Sequence, residues 1–292
     1  ITVDGGNMEF NNFASLLAED SHIVLNSGSV IFSENSALDF ELSTTLTIND
    51  GNFDLLDDAT FAAGSTTIDI LGGDFRVFNN VALDLESMDM LVEGNAQFTD
   101  QSSFKLSKSS VDVAGGNFTT SDSVSLNFFT TSLLVEGDVI FEGATHHFED
   151  STINVKSDNL LLRSGNFGVL QANANALVTA INTNITVDDG NVEFTTTSQL
   201  DSQTSNIVVN SGNIVFSDDS VLDFTSSSSL TINTGDFDLF DRTALTATNT
   251  TVDVNGGNFR AFNDATLDFS IVDMFVGGNV QFVDTVALNV ID

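Results

Sequence analysis

HIVLNSGSVIFSENSALDFE, residues 22–41, decides the fold. Three short runs alternate apolar and polar residues: Ile23 with Leu25, Val30 with Phe32, and Leu38 with Phe40. Period two over a few residues marks a strand with one buried face. The linking residues are small and polar, as tight turns require. Three such strands, each turning in the same sense, close one coil of a three-sided parallel β-solenoid.

Working outward, a glycine followed by Asn or Asp recurs along the whole chain. It falls at Gly6, Gly28, Gly51, Gly73, Gly94, Gly116, Gly137, Gly165, Gly190, Gly212, Gly235, Gly257 and Gly278, with Ser29 the one exception after it. Ten of the twelve spacings lie within one of 22, a period in the range of solenoid repeats. The chain therefore reads as an all-β, right-handed parallel β-helix of about 13 coils of about 22 residues, continuous over 1–292. At ~4.8 Å per stacked strand such a body is on the order of 60 Å long. Before Gly94, Gly137 and Gly278 the apolar residues shift by one, which predicts a turn one residue shorter. A Phe stands two or four residues after every glycine, Phe32, Phe53 and Phe216 among them, and predicts a Phe-rich core column. Alternation between the two slots is expected to let neighbouring rings interdigitate.

The residue after the glycine predicts a structural ladder bonded from coil to coil by side-chain amides: Asn7, Asn52, Asn95, Asn117, Asn166, Asn191, Asn213, Asn258 and Asn279. Glycine would supply the special backbone angles of that turn. A longer repeat overlies the coils. Residues 1–108 align with 185–292 at a constant offset of 184, with about half the positions identical. Copy one is 1–184 (eight coils), and 185–292 is a partial copy two.

Composition narrows the function. Forty-two acidic residues against seven basic ones give a net charge of −35, which argues against nucleic acid and anionic membranes as partners. Pro, Cys, Trp and Tyr are absent, while Phe occurs 26 times. Without cysteine there is no disulfide or thiolate metal site. Proline would remove ladder hydrogen bonds from strands that need both neighbours. The chain shows no initiator Met, no signal peptide and no apolar run long enough to span a bilayer. It is expected to be a soluble mature segment without membrane insertion. The basic residues number seven, Arg76 and Arg260 sharing one place in the super-repeat, and no GxSxG-like elbow is present. No catalytic residue and no cofactor is expected.

Two spacings, 28 and 25, predict inserts. The first is expected as a protruding loop at 142–152, with Ile153 and Val155 forming the third strand of the Gly137 coil, and the second near 171–176. The first contains His146, His147, Glu149 and Asp150, imidazole and carboxylate groups of a kind that bind divalent cations. Adjacent histidines in a strand face opposite ways, so a solvated loop is the plainer expectation. Asx residues six after the glycine, such as Asp57, Asp218 and Asp241, are expected to cap turns. Their stacked carboxylates would gather Ca²⁺ or other divalent cations diffusely. Sequons stand at Asn117, Asn184 and Asn249, sites for glycosylation in a glycosylating source.

The coils resemble the parallel β-helix repeats of large secreted surface proteins, the filamentous-haemagglutinin-like and autotransporter-passenger adhesins. FSENSA at 32–37 is similar to the FxxN motif of polymorphic outer-membrane proteins, whose companion GGA[ILV] motif here reads GGNF or GGDF. The resemblance implies an extracellular or cell-surface location and a stalk or fibre. The reading that follows is a structural, non-enzymatic segment of an extracellular fibre or giant surface protein. Its partners are itself or flanking repeats, end to end, since neither end carries an amphipathic cap and 13 coils are not a multiple of eight. One alternative is an adhesin module that binds a host or neighbouring cell surface through the 142–152 loop. A second is a β-helix enzyme acting on polysaccharides.

Overall fold

The computed structural model describes residues 1–142, 145–156, 160–163 and 177–291, with backbone alone at 161–163. Among them every regular element is a strand, and strands pair in parallel with their equivalents in the next coil. The protein is a parallel β-solenoid of about 12 turns. Backbone contacts group the chain into two units, Ile1–Gly137 and Asp138–Asp292, each of them a stack of coils.

One coil of the first unit shows how the sequence builds the rest. Its three strands are His22–Leu25, Val30–Phe32 and Ala37–Glu41. Each pairs with its equivalent one coil on: Ile23 with Leu46, Val30 with Phe53, Leu38 with Phe61. All six residues of the alternating pattern are buried. Parallel strands stacked this way satisfy their backbone groups on both edges, and burying each such apolar side chain contributes roughly 1.5–3 kcal/mol. In the second unit the first and third strands fuse into the 11-residue strands Ala244–Val254 and Thr266–Val276. Each bends at a single left-handed residue, Asn249 (φ 52°) or Ile271 (φ 55°).

The corners follow from backbone angles. Between second and third strands two consecutive residues take positive φ, as Glu34 (54°) and Asn35 (62°) do, and Ser36 N–H donates to Ser33 O at 3.2 Å. Two left-handed residues closed by such a bond form a type I′ turn, where Asn and Asp are tolerated best among side chains with a β-carbon. Where an Asx residue stands six after the glycine, as Asp57, Asp218 and Asp241 do, it occupies the first central place of this turn. Between third and first strands one left-handed residue suffices in most coils, as Ser65 does (54°). Leu42–Ser43 and Ser226–Ser227 place two there, which accounts for the two glycine spacings that are one longer than usual.

At the third corner glycine is needed for closeness more than for angle. Gly28 and Gly51 have φ of 106° and 144°, but Gly257 has no positive φ. A β-carbon at Gly28 would lie 2.2 Å from Gly6 O, and one at Gly257 1.8 Å from Gly235 O. The shorter turn before Gly94 is present: Ile70 and Val92 are register partners, yet Val92 stands one residue nearer its glycine.

Two expectations are corrected. The segment 142–152 is not a protruding loop, because Thr145–Glu149 is a third-face strand paired with Leu177–Ile181. Ile153 and Val155 accordingly belong to a first-face strand, paired with Ile185 and Val187. The second correction concerns the coil whose second-face strand the spacing places after Gly165. Leu160 pairs with Val139 and Val192, which makes Leu160–Arg163 a second-face strand that precedes Gly165. The landmark misleads because the sequence has Asp158, not glycine, two residues before Leu160. Gly165, Asn166, Phe167 and the expected insert at 171–176 lie outside the described residues.

Among the described residues the phenylalanine column is buried from Phe32 to Phe259, with Phe10 partly exposed and Phe282 exposed, but rings in the same slot do not need to avoid each other. Phe10 and Phe32 stack at 4.5 Å with planes 6° apart, and Phe194 and Phe216 at 4.2 Å and 6°. Coil spacing is itself close to a ring-stacking distance. Slot changes bring rings of different faces together, as Phe53 with Phe61 at 5.6 Å.

Candidate functional site

The strand Thr145–Glu149 separates the two histidines of the candidate metal cluster. His146 points inward and is fully buried, its ring 4.3 Å from that of Phe141 and 6.5 Å from that of Phe148. Burial pushes its pKa down to about 3, so the ring is neutral. His147 points outward, 3.6 Å from Glu149 Oε2. Asp150 sits at the next corner (φ 51°) and accepts from Asn182 Nδ2 at 2.6 Å. Strand alternation thus turns His146 away from His147 and Glu149, which share the outer face. Among the described residues no group of three or more His, Asp or Glu is placed to hold a metal ion.

His146 also breaks a column. Its register partners through the second unit are Val178, Leu200, Leu222, Leu245, Leu267 and Leu288. A titratable ring occupies a place that is otherwise aliphatic there. Glycine spacing assigns it to a solvated loop; the register assigns it to the core.

The ladder beside the glycine exists. The expected side-chain amide bonds occur in part, as Asn279 Nδ2 donating to Asn258 Oδ1 at 3.1 Å and Asn95 Nδ2 to Asp74 Oδ1 at 3.1 Å. The contact that recurs from coil to coil is a side-chain oxygen accepting from a backbone N–H. Asn7 Oδ1 accepts from Ser29 N–H at 3.0 Å, Ser29 Oγ from Asn52 N–H at 3.1 Å, and Asn52 Oδ1 from Asp74 N–H at 2.9 Å. Asp74 Oδ1 then accepts from Asn95, and Asn95 Oδ1 from Asn117. In the second unit the series runs Asn191, Asn213, Asp236, Asn258, Asn279. The position needs only an acceptor oxygen aimed at a backbone N–H, which is why Asn, Asp and Ser all serve. A second ladder, of amides, stands just before the glycine: Asn49 donates to Asn26 at 2.9 Å and Asn26 to Asp4 at 2.7 Å, as Asn233 does to Asn210 and Asn210 to Asp188, both at 2.8 Å.

An ion pair with a buried carboxylate and a partly exposed guanidinium braces the outside of the second face. Arg76 clasps Asp54 through Nε at 2.6 Å and Nη2 at 2.7 Å, and Asp54 is only 5% exposed. The hydrogen bond to Asp54 raises the Arg76 pKa, and the nearby charge of Asp74 adds to it. In copy two Arg260 clasps Asp238 (both bonds 2.6 Å) and reaches Asp236 at 2.7 Å. The signal is present in the sequence: Asp and Arg each stand three places after successive glycines, and both recur at the super-repeat offset.

Turn carboxylates meet donors more often than one another. Asp57 accepts from Asn79, Asp58 from Asn80, Asp241 from Asn263, and Asp219 takes both bonds of the Arg242 fork. Two acids are differently placed. Asp112 lies in register between Leu91 and Leu134, and burial raises its pKa. Asp223 faces Asp201 across the ladder, and burial followed by that neighbouring charge raises its pKa. Of the sequons, Asn117 is part of the acceptor ladder, Asn184 accepts from Asn206 on a strand surface, and Asn249 is exposed at a corner. Comparison with protein-family models, curated proteins and solved structures finds no match.

One further column has no visible mark in the sequence. At the corner before the first strand, buried hydroxyls donate to nearby carbonyls: Thr44 to Glu41 O at 2.6 Å, Thr183 to Ile181 O at 2.9 Å, Ser205 to Gln203 O at 2.9 Å and Ser228 to Thr225 O at 2.7 Å. Serine and threonine are too common in this chain for the pattern to stand out.

Proposed function

We propose that this chain is a structural, non-enzymatic segment of an extracellular fibre or giant cell-surface protein, continuing end to end into flanking repeats or further copies. The observation that supports the reading is the repetition of bracing contacts between the two copies. Asp54 and Arg76 become Asp238 and Arg260, and Ser29 and Asn52 of the acceptor ladder become Asn213 and Asp236, each at the same offset of 184. A stack whose coils touch mainly their neighbours gains length simply by adding copies. What the copies keep is what a spacer needs, a dry core and laterals braced from coil to coil. The outward carboxylates form a sheath that holds neighbouring rods apart and attracts cations diffusely.

The surface location rests on the resemblance to secreted β-helix repeats. Adhesion through 142–152 is not proposed, since Thr145–Glu149 is built into the sheet. The test is immunogold electron microscopy of native source cells with an antibody to this chain. Label along extended surface filaments or stalks is the expected result. Label confined to the cell interior, or to compact particles, overturns the proposal.

A further inference from the structure

Asn255 and Gly256 form the single Asn–Gly step in the chain. They stand at the corner between the strand ending at Val254 and the strand Phe259–Phe262, and both are exposed. The Asn255 backbone N–H is tied to Ile232 O at 2.8 Å, but the Gly256 N–H donates to no acceptor among the described residues. The Asn255 side chain is held by one long bond, Nδ2 to Asn233 Oδ1 at 3.3 Å, at the end of the amide ladder. In copy one the same place is Leu71.

We propose that Asn255–Gly256 is a site of spontaneous deamidation and isoaspartate formation, and the corner at which this coil stack ages. The Gly256 amide gives its proton to solvent base, and its nitrogen attacks Asn255 Cγ. A Cγ–N bond forms, the Cγ–Nδ2 bond breaks, and ammonia leaves with a proton from water, closing a succinimide. Water then opens the ring at either carbonyl, leaving aspartate or isoaspartate. Glycine lacks the β-carbon that hinders this attack, and a peptide nitrogen outside the ladder loses no hydrogen bond when it gives up its proton. The isoaspartyl product lengthens the main chain by one carbon where there is no space for it. Even a β-carbon at Gly256 would lie 2.7 Å from Asn233 O, and one at Gly257 1.8 Å from Gly235 O.

The experiment ages folded 1–292 at mildly alkaline pH, labels isoaspartate with an isoaspartyl methyltransferase and a radiolabelled methyl donor, and maps the label by peptide mass spectrometry. Asn255→Leu, the residue of copy one, is aged beside it. Label concentrated in the Asn255 peptide and lost in Asn255→Leu is expected, with protease cleavage at the 255–258 corner increasing with age in the parent alone. Label absent from folded chain but present after ageing in urea overturns the proposal. So does label shared equally with the Ser-followed Asn26 and Asn210. Isoaspartate without added cleavage overturns the coil-opening part.

Discussion

Acidification should weaken the second unit through His146. The folded chain keeps this ring neutral down to about pH 3, whereas in the unfolded chain it takes a proton near 6.5. A base whose folded pKa is depressed contributes stability that is complete above pH 6.5 and is lost as pH falls toward 3. Each pH unit in that window is worth about 1.4 kcal/mol, so the loss at pH 5 is about 2 kcal/mol. The charge of 42 acidic residues also changes on acidification, so the wild-type curve alone cannot isolate one group. Replacing His146 with Leu, the residue that fills most of its column in this unit, supplies the reference. Stability is to be read by hydrogen exchange at residues 145–156 between pH 7 and 5, because stacked coils can open locally without global unfolding. His146→Leu should lose about 2 kcal/mol less than wild type across that interval. Parallel pH dependence in the two proteins would refute the burial of a neutral ring among Phe141 and Phe148.

Three other perturbations test the bracing. Arg76→Met strands the buried Asp54 carboxylate and should cost about 2–3 kcal/mol in urea unfolding, with the double change Asp54→Leu/Arg76→Met recovering most of it. At the acceptor ladder Asn213→Ser should be tolerated, since Ser29 serves at the equivalent place, while Asn213→Ala leaves Asp236 N–H unpaired and should lower stability by about 1–2 kcal/mol. If the two variants melt together, an acceptor is not what the position requires. Asp223→Asn removes the charge facing Asp201. For an acid whose folded pKa is raised, stability is complete below its unfolded pKa and lost as pH rises, so this variant should gain up to about 1 kcal/mol at pH 7 and nothing near pH 3. An equal gain at both pH values would point to a cause other than charge.

Much of this protein is legible from residues alone, for a physical reason. A stacked coil repeats one environment with every turn, and each environment selects its residue types over and over. Period-two alternation, the glycine spacing and the offset of 184 therefore determine the fold class, the inward residues such as Ile23 and Phe40, and the place of the ladder beside the glycine, though not the backbone N–H it serves. Where the landmark glycine is missing, at Asp158, spacing counts to the wrong glycine and reads a strand as a loop.

Pairing across the sheet is needed for everything that depends on which residue lies one coil away. Equal distances from successive glycines put Arg76 in the column of Asp54 and Asp223 in that of Asp201, but only the tertiary register shows that these side chains meet across neighbouring coils. Only it turns His146 into the core while His147 stays outside. It also changes the reason for glycine, from the angle the backbone must take to the carbonyl of the coil beneath it. Sequence periodicity determines that coils form; the contact between successive coils decides what each side chain does there.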